Sequence, residues 1–179
     1  MKLLLSLLIS STCISFSQTI SAFYTPIDFE HCVTLSSSEW DAEPVIDYIV
    51  QECPGLAGYQ LFVKGGDARS WLELAHSGHP FPFAPWDLGD AIQGLFPYVK
   101  GTVAEWRYSI AGDESNPVLV PHALIYRMAF QDINDETKEI DQLIVLRLAN
   151  EQACFLGATS NNEAARELAD TLELSCFDE

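Results

Sequence analysis

The stretch from Cys53 to Leu74 constrains the chain most, because one short segment supplies a cysteine anchor, two sets of turn residues and two strand-like runs. Pro54-Gly55 fixes one φ and frees the next, so the chain can reverse straight after Cys53. Tyr59 to Lys64 is mostly aromatic, β-branched or aliphatic, which suits a pleated, half-buried surface. Lys64-Gly65-Gly66-Asp67 then supplies residues that accept φ > 0, as a tight hairpin requires. Arg69 to Leu74 returns, with Trp71 and Glu73 on one face and Leu72 and Leu74 on the other. The segment predicts a β-hairpin tethered at its start by a cysteine.

A tether of that kind needs a partner and an oxidising compartment. Met1-Lys2 is a short basic region, Leu3 to Phe16 an apolar run diluted by serines, and small residues follow at Ser17, Ser21 and Ala22. Together these read as a secretory signal peptide over residues 1–22, too short to be a good membrane span. Cleavage is expected after Ala22, with Ser17 as the alternative. Residues 23–179 form one domain, exported to the periplasm or secreted. Cys13 leaves with the signal, and Cys32, Cys53, Cys154 and Cys176 remain as an even set. Of the three pairings, Cys32–Cys53 with Cys154–Cys176 closes two local loops of similar length. A Cys32–Cys176 pairing would instead staple the ends together. The cysteines lack the CxxC spacing of a zinc site, so no metal is expected.

The mature chain carries eight basic residues against 26 acidic ones, a net −18. Phosphate backbones and anionic lipid repel such a surface, so neither nucleic acid nor a membrane is an expected partner, whereas a basic protein is allowed. With 48% hydrophobic residues the chain can bury a core.

The remaining periodicities fill in the domain. Ala104, Trp106, Tyr108 and Ile110 alternate with Val103, Glu105, Arg107 and Ser109. Leu124, Tyr126, Met128 and Phe130 oppose Arg127. Ile144, Leu146 and Leu148 oppose Leu143, Val145 and Arg147. Polar turns at 112–117 and 134–136 separate these strands, and Ala153 to Thr159 adds another. Ser160 and Glu163 fit a capping box opening a helix whose stripe is Ala165, Leu168, Ala169, Leu172 and Cys176. The expected fold is α+β: an antiparallel meander with a C-terminal helix packed on one face and disulfides holding it. His76 to Pro97 reads as a long, proline-stiffened aromatic loop, with a short helix from Asp87 to Gln93.

Several of these features occur together elsewhere. Tyr24-Thr25 before Cys32, Cys53-Pro54-Gly55-Leu56-Ala57-Gly58-Tyr59, Gly66-Asp67-Ala68-Arg69, Glu105-Trp106-Arg107, Cys154, and Ala165-Arg166-Glu167-Leu168-Ala169-Asp170 before Cys176 form the shared pattern. The chain resembles an uncharacterised family of small exported proteins of Gram-negative, largely alphaproteobacterial, type. The resemblance implies a periplasmic location and lends no catalytic residues. The Phe81–Pro97 loop is longer and richer in aromatics than the family pattern.

Chemistry-bearing residues are sparse. His76 and His79 share a loop with Asp87 and Asp90, and His122 lies apart, without a metal-binding motif. Residues 132–143 lack the glycine and final glutamate of a calcium loop. There is no nucleophile elbow and no glycine-rich phosphate loop, so no cofactor and no catalytic residue is assigned. Two binding candidates stand out. Phe81, Phe83 and Trp86 form a stiff aromatic segment of the kind that anchors protein interfaces, unless the rings fold back onto the sheet. Arg107, Arg127 and Arg147 lie on neighbouring strands and can either hold a carboxylate ligand or form ion pairs across strands. The leading reading is a non-enzymatic binding module engaging a protein or envelope component. A hydrolase using carboxylates or histidines, and a structural envelope protein, are the alternatives.

Overall fold

The computed structural model describes residues 19–35, 48–80, 86–149 and 152–172. The strands run β1 (Ile20–Pro26), β2 (Val33–Leu35), β3 (Tyr48–Cys53), β4 (Tyr59–Gly66), β5 (Arg69–His76) and β6 (His79–Pro80). Helix α1 (Trp86–Ile92) follows. Then come β7 (Gly94–Val99), β8 (Val103–Asp113), β9 (Asn116–Asp132), β10 (Asp135–Ala149), β11 (Gln152–Thr159) and helix α2 (Asn162–Asp170). The predicted α+β class therefore holds in coarse form, with strands far outweighing helix. The expected single meander is instead two antiparallel sheets. One has the order β1-β8-β9-β10-β11, with β7 also pairing β9; the other runs β2-β3-β4-β5-β6.

Alternation explains the layering. Leu124, Tyr126, Met128 and Phe130 of β9 and Ile144, Leu146 and Leu148 of β10 point to one side. There they meet Leu61, Leu72 and Leu74 of the β4–β5 hairpin, forming the main core between the sheets. Trp106 is fully buried at its centre. Its indole N–H donates to Thr25 Oγ1 at 2.9 Å, and its ring lies 5.8 Å from that of Tyr59. The opposite faces of β9 and β10 present Ala123, Ile125, Leu143 and Val145 to Ala165 and Ala169 of α2. Small residues on the helix let it lie close to the sheet, so the molecule has three layers.

Local chemistry sets the boundaries. Gly55 is needed because a Cβ there would stand 1.7 Å from the Tyr59 carbonyl oxygen. The β4–β5 reversal is shifted from the sequence reading: Asp67 and Ala68 take φ of 50° and 59°, while Gly65 and Gly66 belong to β4. Cys32 and Cys53 are disulfide-bonded, one step beyond the Val33–Glu52 pair of the β2–β3 ladder. Cys154 is also disulfide-bonded; its expected partner Cys176 lies outside the described residues. Strand β1 begins at Ile20, inside the segment assigned to the signal peptide.

Three expectations need correction. The α2 N-cap is Asn161, not Ser160: Asn161 Oδ1 accepts from the N–H groups of Glu163 and Ala164 at 2.8 and 3.1 Å. Leu172 lies past the helix end and is exposed rather than part of the buried stripe. The 76–97 stretch is not one loop, since it contains β6, α1 and β7. Pro97 is tolerated in β7 because the ladder to β9 is interrupted between Leu95 and Tyr98.

Candidate binding surfaces

The predicted aromatic anchor is only partly in view. Phe81 and Phe83 lie outside the described residues, and of Trp86 the backbone alone is described, as the first residue of α1. At the far end of this stretch Leu95 and Phe96 are exposed, and the Arg69 guanidinium stands 4.5 Å from the Phe96 ring centroid.

The three arginines divide between two places. Arg107 donates from Nε and Nη2 to the two oxygens of Asp170 at 2.9 and 2.6 Å, and from Nη1 to Glu105 at 3.1 Å. Arg147 is buried and donates to the backbone carbonyls of Thr171, His122 and Ala169 at 2.5, 3.4 and 3.4 Å. Both therefore hold the C-terminal end of α2, where unpaired carbonyls and the helix dipole favour a cation. His122 completes the clamp, with Nε2 3.5 Å from Asp170 Oδ1. Burial pushes the His122 pKa down against the pull of Asp170. Burial also works against ionised Asp170, but the hydrogen bond and charge of Arg107 hold its pKa below the usual carboxylate value. Arg127 sits elsewhere, donating to Asp141 Oδ1 at 2.6 Å. Arg166, which the sequence reading passed over, grips Glu105 from Nε at 2.8 Å and Nη2 at 2.9 Å. The cross-strand ion pair thus describes Arg127 alone; Arg107 pairs with helix α2 and within its own strand, and Arg147 serves a helix end.

The remaining lysines and arginines after Lys2 are ion-paired as well. Lys64 pairs with Glu73, Arg69 with Asp67, Lys100 with Glu139 and Asp141, and Lys138 with Asp135. Apart from Arg147, each of these cations is thus paired with a carboxylate inside the molecule. The full chain carries a net charge of −17, so carboxylates outnumber the cations that pair with them.

One apolar feature stands out against that charge. Beyond Pro121, β9 leaves the core and runs with β8 as a two-stranded arm. Ile110, Val118, Leu119 and Val120 are 55%, 55%, 42% and 41% exposed. The neighbours stop where the arm begins: β1 pairs with β8 only up to Ile20–Ser109, and β10 pairs with β9 only up to Arg147–Ala123. Ile110, placed by alternation on the same stripe as Trp106, is exposed for this reason. The register also slips between Arg107 and Tyr108, where Ala123 and then Pro121 are the partners. The tip is held rigidly. Asp113 Oδ1 accepts from Ser115 N–H at 2.9 Å, Ser115 Oγ at 2.5 Å and Asn116 N–H at 2.9 Å, and Gly112 takes φ +87°. Pro117, Leu119 and Pro121 share one parity opposite Gly112, Ile110 and Tyr108. A proline cannot donate to β8, so this parity faces outward along the strand edge, and only Leu119 offers an N–H there. The edge is guarded against strand addition while its side chains stay open to contact. The signal for the arm was in the sequence as Pro-Val-Leu-Val-Pro, an apolar run that does not alternate.

The histidines do not converge. His76 and His79 face each other across the β5–β6 pair, and the His76 ring lies 4.7 Å from Tyr59. His122 belongs to the α2 clamp. Among the described residues no three His, Cys, Asp or Glu side chains are grouped to hold a metal, and no helix is long and apolar enough to cross a membrane. Fold and site together define a disulfide-bonded, two-sheet antiparallel protein with a helix on one outer face and an exposed apolar arm. No family model, curated protein or solved structure matches the chain.

Proposed function

We propose that the protein is an exported, non-enzymatic binding module that engages a basic protein partner through the β8–β9 arm. The observation that carries this reading is the arm itself: four large aliphatic side chains on a hairpin with Asp113 and Glu114 at its tip, on a strongly acidic chain. Apolar anchors ringed by one sign of charge fit a groove lined by aliphatic or aromatic side chains and rimmed by lysine or arginine. A second copy of this chain carries the same anionic surface and is disfavoured by repulsion. The disulfides fit an oxidising compartment, in keeping with the leader-like N-terminus. The resemblance to small exported proteins of Gram-negative bacteria supports a periplasmic or secreted location.

The test is a photo-crosslinking residue at position 119 in the native cell, with position 167 on the exposed side of α2 as control. The reading expects one discrete adduct from position 119 and none from 167. The captured protein should be basic, and the adduct should weaken as salt is raised. An adduct of twice the chain mass, or a captured acidic protein, would overturn it. So would equal labelling from both positions.

A further inference from the structure

A second site of different chemistry lies on the helix side of the main sheet. A cleft of about 310 Å³ opens between the first turn of α2 and strands β8, β9 and β10. Ile125, Leu143 and Val103 give it apolar lining; Arg127, Arg166 and Glu105 give it charge. Both Glu105 oxygens are already occupied, by Arg166 from one side and Arg107 from the other. Tyr24 closes one wall and accepts a hydrogen bond from Arg166 Nη2 at 3.1 Å. Among the described residues, Arg127 makes no hydrogen bond from Nε or Nη2, and Arg166 none from Nη1. The lining carries two arginines and one carboxylate, and Arg127 is further paired through Nη1 with Asp141 just outside it. By contrast, the cavity of about 410 Å³ beside Phe96 sets Glu136 and Glu139 against Lys138. Of these two concavities, the cleft is the one whose lining offers arginine N–H groups without a hydrogen-bond partner.

We propose that this cleft binds a small organic monocarboxylate. The carboxylate accepts from the unused N–H groups of Arg127 and Arg166, whose planar forks suit it. The apolar body lies on Ile125, Leu143 and Val103. The cleft volume matches a molecule of a few carbon atoms up to a single ring. With Glu105 in the wall, a monoanion is favoured over a dianion such as phosphate. Sequence reasoning grouped Arg127 with Arg107 and Arg147 as a carboxylate holder. The fold places the other two at the far end of α2 and puts Arg166 in their stead.

Hexanoate, benzoate, hexan-1-ol and inorganic phosphate are titrated into the full protein while the methyl NMR signals of Ile125, Leu143 and Val103 are followed. Saturable shifts confined to these methyls with hexanoate or benzoate are expected. Hexan-1-ol and phosphate should bind at least tenfold more weakly, and Arg127→Met should weaken the carboxylates at least tenfold. Equal binding of the alcohol, equal binding of phosphate, or no saturable shift would overturn the proposal. So would unchanged affinity in Arg127→Met. The comparison of hexanoate with hexan-1-ol decides the question without any variant.

Discussion

The two halves of β9 are built from similar residues and meet opposite fates. From Ala123 to Phe130 the strand lies between the second sheet and α2, and its side chains are buried on both faces except Arg127. From Asn116 to Val120, a run just as apolar, the strand has β8 beside it and, among the described residues, no layer above or below. Hydrophobicity alone does not decide burial; the length of the neighbouring strands does. β1 and β10 both end their pairing near Pro121, so the layers end there too. Apolar surface left outside a core in this way is the surface the proposed partner would cover.

The largest contrast is expected from truncation in the two halves. Trp106→Ala and Leu124→Ala, in the buried part of the β8–β9 ladder, should each cost about 3–5 kcal/mol in denaturant unfolding. Leu119→Ala should stay within about 0.5 kcal/mol, as for an exposed site. Equal costs would mean that the arm is packed like the core.

Removing the Cys32–Cys53 bond by a double Cys→Ser change should cost about 3 kcal/mol, given a sequence separation of 21 residues. It should act on the second sheet and leave the arm's behaviour unchanged, since that bond fastens β3. Loss of the position 119 adduct in this variant at native temperature would break the separation between scaffold and arm.

Asp170→Asn should cost about 1–3 kcal/mol, because it leaves Arg107 short of its carboxylate and loosens the end of α2. The same clamp gives a pH dependence. His122 lies beside Asp170, Arg107 and Arg147, and burial depresses its pKa below 6.5. The unfolded chain then binds the proton more readily than the folded one. Stability from this group is present above the ordinary histidine value and is lost as pH falls through the depressed one. Asp170 is depressed below 3.8 and adds a further loss only at more acidic pH. In His122→Gln the first of these losses should vanish from the pH profile of unfolding.

Much of this was legible in the chain. The alternations at 124–130 and 143–148, the hairpin faces of Leu72 and Leu74, and the Cys32–Cys53 bond all follow from local pattern. The division into two sheets was not legible. It depends on which strands find each other across long separations, as when β1 pairs with β8. Nor was the pairing of Arg166 with Glu105, 61 residues apart, visible in the sequence. The arm is not visible as a strand in the sequence because the polar turn residues at 112–117 and the non-alternating Pro-Val-Leu-Val-Pro run carry no strand period. The fold also bears on processing. Cleavage after Ala22 would remove Ile20, Ser21 and Ala22 from β1, whereas cleavage after Ser17 keeps the whole strand. If the chain is exported with its leader cleaved, as proposed, N-terminal sequencing of the exported protein should begin at Gln18; a start at Phe23 would mean that β1 is shorter there.

The most direct measurement on the central claim is the unfolding free energy of the double variant Val118→Ser/Leu119→Ser beside the wild type. If the arm is held out for a partner, the two curves should coincide within about 0.5 kcal/mol, a melting-temperature difference of about 1–2 °C for a chain of this size. A loss of several kcal/mol would show that the arm belongs to the core and contradict the account.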